Sequence, residues 1–143
     1  MNSRLPRIDD VAPWTALLVE DEALIAASTE ALLFELGATE VRWATTVEEA
    51  ERQIETEAPT IAVVDWFVGR RTAEPLVNRL ADQGVGILLL TGASPEDIVR
   101  PADAEILVLG KPARDAAVAE AIRRLLRRGP EDFAVTDRRW RAE

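Results

Sequence analysis

The chain has 143 residues, of which 48% are hydrophobic and 30% charged, a size and composition typical of one soluble globular domain. It contains no Cys and no His, which excludes disulfides, thiolate-ligated zinc and catalysis by a His base or a Cys nucleophile. Its formal net charge of −9 disfavours nucleic-acid binding, because a phosphate backbone is bound by clustered positive charge.

The sequence carries no signal for export or membrane insertion. Its N-terminus lacks the apolar core of a secretory signal, and no uncharged apolar run approaches the roughly 18 residues of a membrane span. We therefore expect a soluble, cytoplasmic protein that is not attached to a membrane. We also expect a single domain over residues 14–128, with residues 1–13 and 129–143 as terminal extensions.

Four short, continuous apolar runs predict β-strands that are covered on both faces, as in a parallel sheet between two layers of helices. A weaker fifth strand fits residues 40–43, and we interpret its Trp43 as a packing residue. Five strands are too few for a closed eight-stranded barrel and fit an open sheet. The four strong runs are residues 16–19, 61–64, 87–90 and 106–109.

Helical segments alternate with these strands, so the order is β-α repeated five times. That order implies a parallel sheet with right-handed crossovers. Start and stop signals bound the segments: a capping box at Thr46 and Glu49, and glycines at positions 37 and 84. The predicted helices cover residues 23–36, 46–57, 72–83, a segment from Ser94 until Pro101 interrupts it, and 115–128.

The first predicted helix is apolar around most of its circumference. A helix of this kind is usually covered on more than one side. Either a partner protein or one of the terminal extensions would cover the additional face, and the sequence leaves both alternatives open.

Polar side chains follow four of the predicted strands. Because the carboxyl ends of parallel strands meet at one edge of the sheet, where such folds bind ligands, we expect these side chains to converge. Clustered carboxylates repel one another unless a cation lies among them, and their oxygens suit Mg²⁺. Glu20 and Asp21 follow the first strand, Asp65 the third, Thr91 the fourth and Lys111 the fifth.

This set of residue types is suited to phosphoryl transfer. An ionised Asp can attack phosphorus and become an acyl phosphate without a His base. A metal ion, a Lys and a hydroxyl group are useful stabilisers of the charge on the transferring group. The residue types therefore favour Mg²⁺-assisted transfer of a phosphoryl group to a carboxylate.

Four segments, residues 17–22, 63–66, 89–92 and 109–112, resemble the response-regulator receiver domain of two-component signalling. The resemblance covers about residues 14–128. It implies a doubly wound α/β fold, the flavodoxin-like (βα)5 arrangement with strand order 2-1-3-4-5 that receivers adopt. It also implies a stand-alone response regulator that receives its phosphoryl group from a histidine kinase or a histidine phosphotransfer protein. Such a regulator would signal by contact with an unknown downstream protein or as a homodimer.

The resemblance assigns roles to individual residues. Asp65 would be the phosphoacceptor. Glu20, Asp21 and Asp65, with the backbone carbonyl of Phe67, would hold Mg²⁺ or Mn²⁺. Thr91 would bond to one phosphoryl oxygen.

The resemblance also covers the second stabilising residue and the residues that tune the cycle. Lys111 would pair with another phosphoryl oxygen. Val108 occupies the position of the family's aromatic switch residue, so the readout of phosphorylation stays open. Phe67 and Ala93 occupy positions that tune dephosphorylation, and because both are apolar we expect slow loss of the phosphoryl group.

Two other functions remain open at this stage. The first is a receiver-like adaptor that is never phosphorylated, although the complete set of acids, Thr and Lys argues against it. The second is a Mg²⁺-dependent phosphohydrolase with an Asp nucleophile. Haloacid-dehalogenase-like enzymes place that nucleophile after the first strand in an Asp-x-Asp spacing, whereas this chain has adjacent Glu20 and Asp21 there.

Overall fold

A computed structural model of the chain describes residues 5–92, 98 and 105–127. Strands and helices alternate from β1 to β6 apart from one short hairpin after the third strand, and β7 and α4 follow in the second described range. In chain order they are β1 (Thr15–Val19), α1 (Ala23–Leu36), β2 (Glu40–Ala44), α2 (Val47–Thr56), β3 (Ile61–Asp65), β4 (Phe67–Val68), β5 (Arg71–Thr72), α3 (Glu74–Asp82), β6 (Gly86–Thr91), β7 (Ile106–Gly110) and α4 (Asp115–Arg127).

The five long strands form one parallel sheet in the order β2-β1-β3-β6-β7. Since β6 and β7 are its fourth and fifth strands along the chain, the predicted order 2-1-3-4-5 is confirmed. The doubly wound α/β class is confirmed as well. The most central strand, β3, lies between β1 and β6 and ends at Asp65, so the sheet places this carboxylate in the middle of its carboxyl edge.

Helices cover both faces of the sheet. Buried side chains of α1 and α4 pack on one face, and those of α2 and α3 pack on the other. Successive residues of a strand point to opposite faces. Leu18 accordingly packs in the α1/α4 core, whereas Leu17 and Val19 pack in the α2/α3 core. This two-sided burial explains why the strands are continuous apolar runs.

The start and stop signals act as expected at two helices. α1 ends at Gly37, whose φ of 120° is a backbone conformation that residues other than glycine rarely adopt. At α2, the hydroxyl of Thr46 accepts a hydrogen bond from the Glu49 N–H at 3.0 Å. The Glu49 carboxylate in turn accepts from the N–H of Thr45, one residue earlier than in the predicted capping box.

The third helix begins later than predicted. It covers Glu74–Asp82 rather than residues 72–83, because the residues just before it pair with β4 as strand β5. Pro75 lies in its first turn, where the missing N–H costs no hydrogen bond. The helix predicted from Ser94, and the chain from residue 128 onward, lie outside the described residues.

The N-terminal segment covers part of α1. Ile8 is buried against this helix, and its N–H donates a hydrogen bond to the Leu36 carbonyl at 2.8 Å. Asp10 forms an ion pair with Arg127 at the end of α4. Some of the apolar surface of α1 is therefore covered from within the chain, yet Leu24 remains 87% exposed. Within the ranges that the structure describes, no helix is both long and apolar enough to cross a bilayer.

Candidate functional site

Backbone hydrogen bonds fix the ends of the strands at the carboxyl edge of the sheet. The Glu20 N–H donates to the Ala44 carbonyl at 3.1 Å, which joins the ends of β1 and β2. The Lys111 N–H donates to the Thr91 carbonyl at 2.8 Å, which joins the end of β6 to the segment after β7. The peptide bond from Lys111 to Pro112 is cis. The two hydrogen bonds fix the backbone next to Glu20, Thr91 and Lys111.

The structure brings the three predicted carboxylates together. Glu20, Asp21 and Asp65 each offer an oxygen, and these oxygens lie within 4.8 Å of one another. Glu20 is only 2% exposed and Asp65 only 9%, whereas Asp21 faces solvent. Hard carboxylate oxygens at this spacing, with one side open to water, suit a Mg²⁺ ion that keeps several of its waters. The donor set therefore fits the predicted cation.

Lys111 joins the cluster from the end of β7. Its Nζ donates a hydrogen bond to Asp65 Oδ2 at 3.1 Å and lies 3.5 Å from Glu20 Oε1. The side chain of Lys111 is itself partly buried, with 25% of its surface exposed. A single ammonium group therefore compensates two buried carboxylates, and the site retains a surplus of negative charge.

The environment shifts the protonation equilibria of all three groups. Burial raises the pKa of Glu20, against the opposing effects of a hydrogen bond from the Glu22 N–H and the charge of Lys111. Burial also raises the pKa of Asp65, and here the bond from Lys111 opposes it. Burial alone would lower the pKa of Lys111, but the hydrogen bond and charge of Asp65, together with Glu20, outweigh it and raise that pKa. The carboxylates are destabilised in a way that a bound cation would relieve.

These raised pKa values predict how the stability of the metal-free protein depends on pH. A carboxyl with a higher pKa in the folded than in the unfolded chain binds its proton more tightly when folded. The stabilising contribution of such a carboxyl to the free energy of unfolding is therefore fully present below its ordinary pKa, which is 4.5 for Glu20 and 3.8 for Asp65. This contribution is lost as pH rises through the pKa in the folded protein. In chelator, we expect Glu20→Gln to lose less unfolding free energy than wild type as pH rises to neutral. Urea unfolding measures this, and superimposable profiles would contradict the prediction.

The remaining predicted residues occupy different environments. Thr91 is buried at the end of β6, beside the strand that leads to Lys111. Val108 is buried in the α2/α3 core opposite Leu89, so an apolar side chain occupies the predicted switch position. The Phe67 side chain is half exposed, and the backbone N–H of Phe67 donates to the Asp65 carboxylate. Ala93 lies outside the described residues.

Trp43 is more than a packing residue. Its indole Nε1–H donates a hydrogen bond to the Glu20 carbonyl at 2.8 Å, and its ring remains partly exposed. This hydrogen bond from β2 fixes the backbone of Glu20, the first residue of the acid pair after β1. The position of Trp43 at the end of the weaker predicted strand, residues 40–43, was the available signal, because each of the four stronger strands leads to a polar side chain at this edge.

A short antiparallel hairpin, β4–β5, follows the central Asp65 and was not predicted. Phe67 pairs with Thr72 and Val68 with Arg71, and Gly69 begins the turn with φ 64°. The Gly69 N–H donates a hydrogen bond to Asp21 Oδ2 at 2.9 Å. The hairpin therefore touches the acid cluster directly through its backbone.

A groove of about 300 Å³ lies beside the cluster, between α1 and the segment that connects β7 to α4. Its lining is mostly apolar and includes Ile25, Leu90 and Pro112. Lys111 also contributes to the lining, so the groove opens next to the charged site.

Solved structures that match this chain include response-regulator receivers. A CheY-like receiver domain protein from Methanospirillum hungatei has 27% sequence identity and a TM-score of 0.71, over 80% of this chain and 94% of its own. A candidate response regulator from Chloroflexus aurantiacus has 26% identity and a TM-score of 0.70, over 82% of this chain and 100% of its own. Most of the chain is thus similar to complete, stand-alone receiver proteins.

A more distant likeness is to the anti-anti-sigma factor PhyR of Bartonella quintana, with 20% identity and a TM-score of 0.69. That match covers 82% of this chain but 50% of PhyR, and at this identity it shows the fold alone. A scan against protein-family models gives no match, and neither does a search of curated proteins.

Proposed function

We propose that this chain, which has the receiver fold of response regulators, accepts a phosphoryl group on Asp65 in a Mg²⁺-dependent reaction and signals by protein contact. The observation that carries the proposal is the convergence of Glu20, Asp21 and Lys111 on Asp65 at the end of the most central strand. Three carboxylate oxygens within 4.8 Å of one another, with an ammonium group 3.1 Å from Asp65, support a phosphoacceptor role, because a cation and a Lys are the groups that stabilise a transferring phosphoryl group.

The reaction follows from the chemistry of these groups. An oxygen of the Asp65 carboxylate attacks phosphorus, the bond from phosphorus to the donor's leaving atom breaks, and an acyl phosphate forms. A cation held by Glu20, Asp21, Asp65 and the Phe67 carbonyl would neutralise charge on the phosphoryl oxygens. Lys111, already hydrogen-bonded to Asp65, is placed to compensate the charge that the phosphoryl group brings.

The test is incubation of the protein with Mg²⁺ and a small phosphodonor, followed by intact-mass analysis. One base-labile phosphoryl group per chain, dependent on Asp65, is the result expected of a phosphoacceptor. A chain that never gains mass would act as an unphosphorylated adaptor. Sustained release of phosphate over many turnovers would indicate a phosphohydrolase instead, and either of these results would overturn the proposal.

The adaptor is the second candidate function. The exposed apolar side chains of Leu24 and Phe34 on α1 are compatible with it, because such a surface can contact a partner protein with or without phosphorylation. An adaptor has no use for a Lys paired with buried acids, and a buried charge cluster is costly to maintain without a function. We therefore rank phosphorylation first.

The phosphodonor is proposed to be a phosphohistidine on a kinase or phosphotransfer protein that docks on α1. An apolar stripe with helical spacing runs along the exposed side of this helix, formed by Leu24, Ala27, Ala31 and Phe34. Its central alanines would allow the backbone of a partner helix to approach closely, with the large side chains at each end as anchors. The stripe begins beside the groove that leads to Lys111.

We expect Leu24→Glu to slow phosphotransfer from a phosphohistidine protein by about tenfold or more, because a charge at the anchor must be desolvated on docking. Leu24 is almost fully exposed, so the folded protein should tolerate the change. A small phosphodonor needs no docking surface and serves as the internal control. Equal slowing with both donors would contradict a docking role for this stripe.

A further inference from the structure

The β4–β5 hairpin is anchored at several points. Val68 is buried in the α2/α3 core, and the Ala73 N–H donates to the Trp66 carbonyl at 2.8 Å across the base of the hairpin. Arg71 forms an ion pair with Glu48 in the first turn of α2. The hairpin is thus attached to the core, to its own base and to a neighbouring helix.

The tip of the same hairpin is attached to the acid cluster. The Gly69 N–H donates to Asp21 Oδ2 at 2.9 Å, across 48 positions of sequence. Glu20, the other acid of the pair, is fixed by burial and by the Glu22 N–H at 3.2 Å. Asp21 is exposed, and among the described residues the Gly69 N–H is the donor found on its carboxylate. The orientation of Asp21 therefore depends on the hairpin.

We propose that the β4–β5 hairpin positions Asp21 through the Gly69 N–H. We call the hairpin docked when this hydrogen bond is formed, and we propose that docking and cation binding at the acid cluster are coupled. The inference rests on the metal-binding part of the proposed function and adds a positioning group and a coupled surface element to it. A carboxylate has two oxygens, so a hydrogen bond to one orients the group and leaves the other for a cation. Such outer partners of ligating groups typically change metal affinity by about 10- to 100-fold.

The coupling acts in both directions. If a docked hairpin increases the affinity for Mg²⁺ by some factor, then bound Mg²⁺ favours the docked hairpin by the same factor. Cation binding at the acid cluster would then change the exposed surface formed by Phe67, Arg70 and the start of α2. This route does not use Val108, which is buried in the core and has no aromatic ring to reorient.

Two glycines provide a matched test. Gly69 and Gly84 have φ of 64° and 75°, and a Cβ at either would meet no atom within 4 Å, so Ala at each introduces backbone strain and no clash. Gly84 follows α3, remote from the cluster. We expect Gly69→Ala to weaken Mg²⁺ binding by about fivefold or more, at the lower end of typical coupling between sites. Gly84→Ala should leave the affinity within about twofold of wild type.

Calorimetric titration with Mg²⁺ measures these affinities, and hydrogen exchange of the Gly69 amide gives an independent readout. In the wild-type protein, exchange at Gly69 should slow by about the same factor when Mg²⁺ is added. Equal Mg²⁺ affinities of the two glycine variants would overturn the coupling. So would exchange at Gly69 that is unaffected by Mg²⁺.

A second pair of variants tests the anchor. Arg71 pairs with Glu48 on the hairpin side of α2, and Arg79 pairs with Glu55 between α3 and α2. Both pairs are similarly exposed, and Arg→Ala removes one positive charge in each. Arg71→Ala should weaken Mg²⁺ binding by about threefold, less than loss of a direct outer partner. Arg79→Ala should not weaken it.

Failure of the proposed coupling and failure of the proposed function give different experimental results. If the wild-type protein binds Mg²⁺ and is phosphorylated, but Arg71→Ala and Gly69→Ala bind Mg²⁺ as their controls do, then only the coupling is wrong. If the wild-type protein binds no Mg²⁺, both proposals are wrong.

Discussion

An Asp65→Asn protein is expected to gain no phosphoryl group under conditions in which the wild-type chain gains one. The amide has nearly the same shape as the carboxylate but is a poor nucleophile, so the chemistry is lost without a change in packing. The Lys111 ammonium retains Glu20 at 3.5 Å as a partner, which protects the fold of the site. Intact-mass analysis after incubation with Mg²⁺ and a small phosphodonor measures the effect directly.

The control is a different, partly buried carboxyl. Glu105, directly before β7, has a pKa raised by burial but lies at the opposite edge of the sheet from Asp65. Glu105→Gln should therefore be phosphorylated as the wild-type protein is. Incorporation into Asp65→Asn at the wild-type level would place the acceptor elsewhere and refute the assignment, with Asp21 as the next carboxylate to replace.

The strands could be predicted because burial on both faces produces continuous apolar runs in the sequence. Val63 and Val64 both pack in a core, on opposite sides of the same strand, and only a doubly covered strand requires apolar residues at both positions. The order of strands came from resemblance to receivers, since apolar runs carry no information about which neighbours they pair with.

The convergence of the site was predictable for a related reason. In a parallel sheet, any residue that directly follows a strand lies at the carboxyl edge, so Glu20, Asp65 and Lys111 were expected at one edge, and the receiver strand order brought their strands near one another. What the sequence could not supply was the pairing: one ammonium group serves both acids, at 3.1 and 3.5 Å. That depends on side-chain rotamers, which follow from packing in three dimensions.

The hairpin was missed because two-residue strands are too short for any periodicity. A weak signal existed in Gly69-Arg70, since a Gly at the first position of a two-residue turn is one of the patterns that joins paired strands. The contact of the Gly69 N–H with Asp21 left no signal, because a backbone donor is present at nearly every residue.

Replacing Lys111 by Gln should slow phosphorylation of Asp65 by about 100-fold, the typical cost of losing one group that stabilises transition-state charge. In the structure this Lys donates to Asp65 Oδ2 and also lies against Glu20, and Gln retains a hydrogen-bond donor but no charge. The rate of mass gain with a small phosphodonor measures the effect. Lys111→Arg, which keeps the charge, should recover part of the rate.

Lys111→Gln should bind Mg²⁺ at least as tightly as the wild-type protein. Lys111 places a positive charge among the oxygens that a cation would contact, so its removal relieves a repulsion between like charges. A general disruption of the site would weaken cation binding and phosphorylation together. Slower phosphorylation with undiminished Mg²⁺ affinity would therefore assign Lys111 to the phosphoryl group itself, whereas parallel losses would reduce it to a structural counter-ion of Glu20 and Asp65.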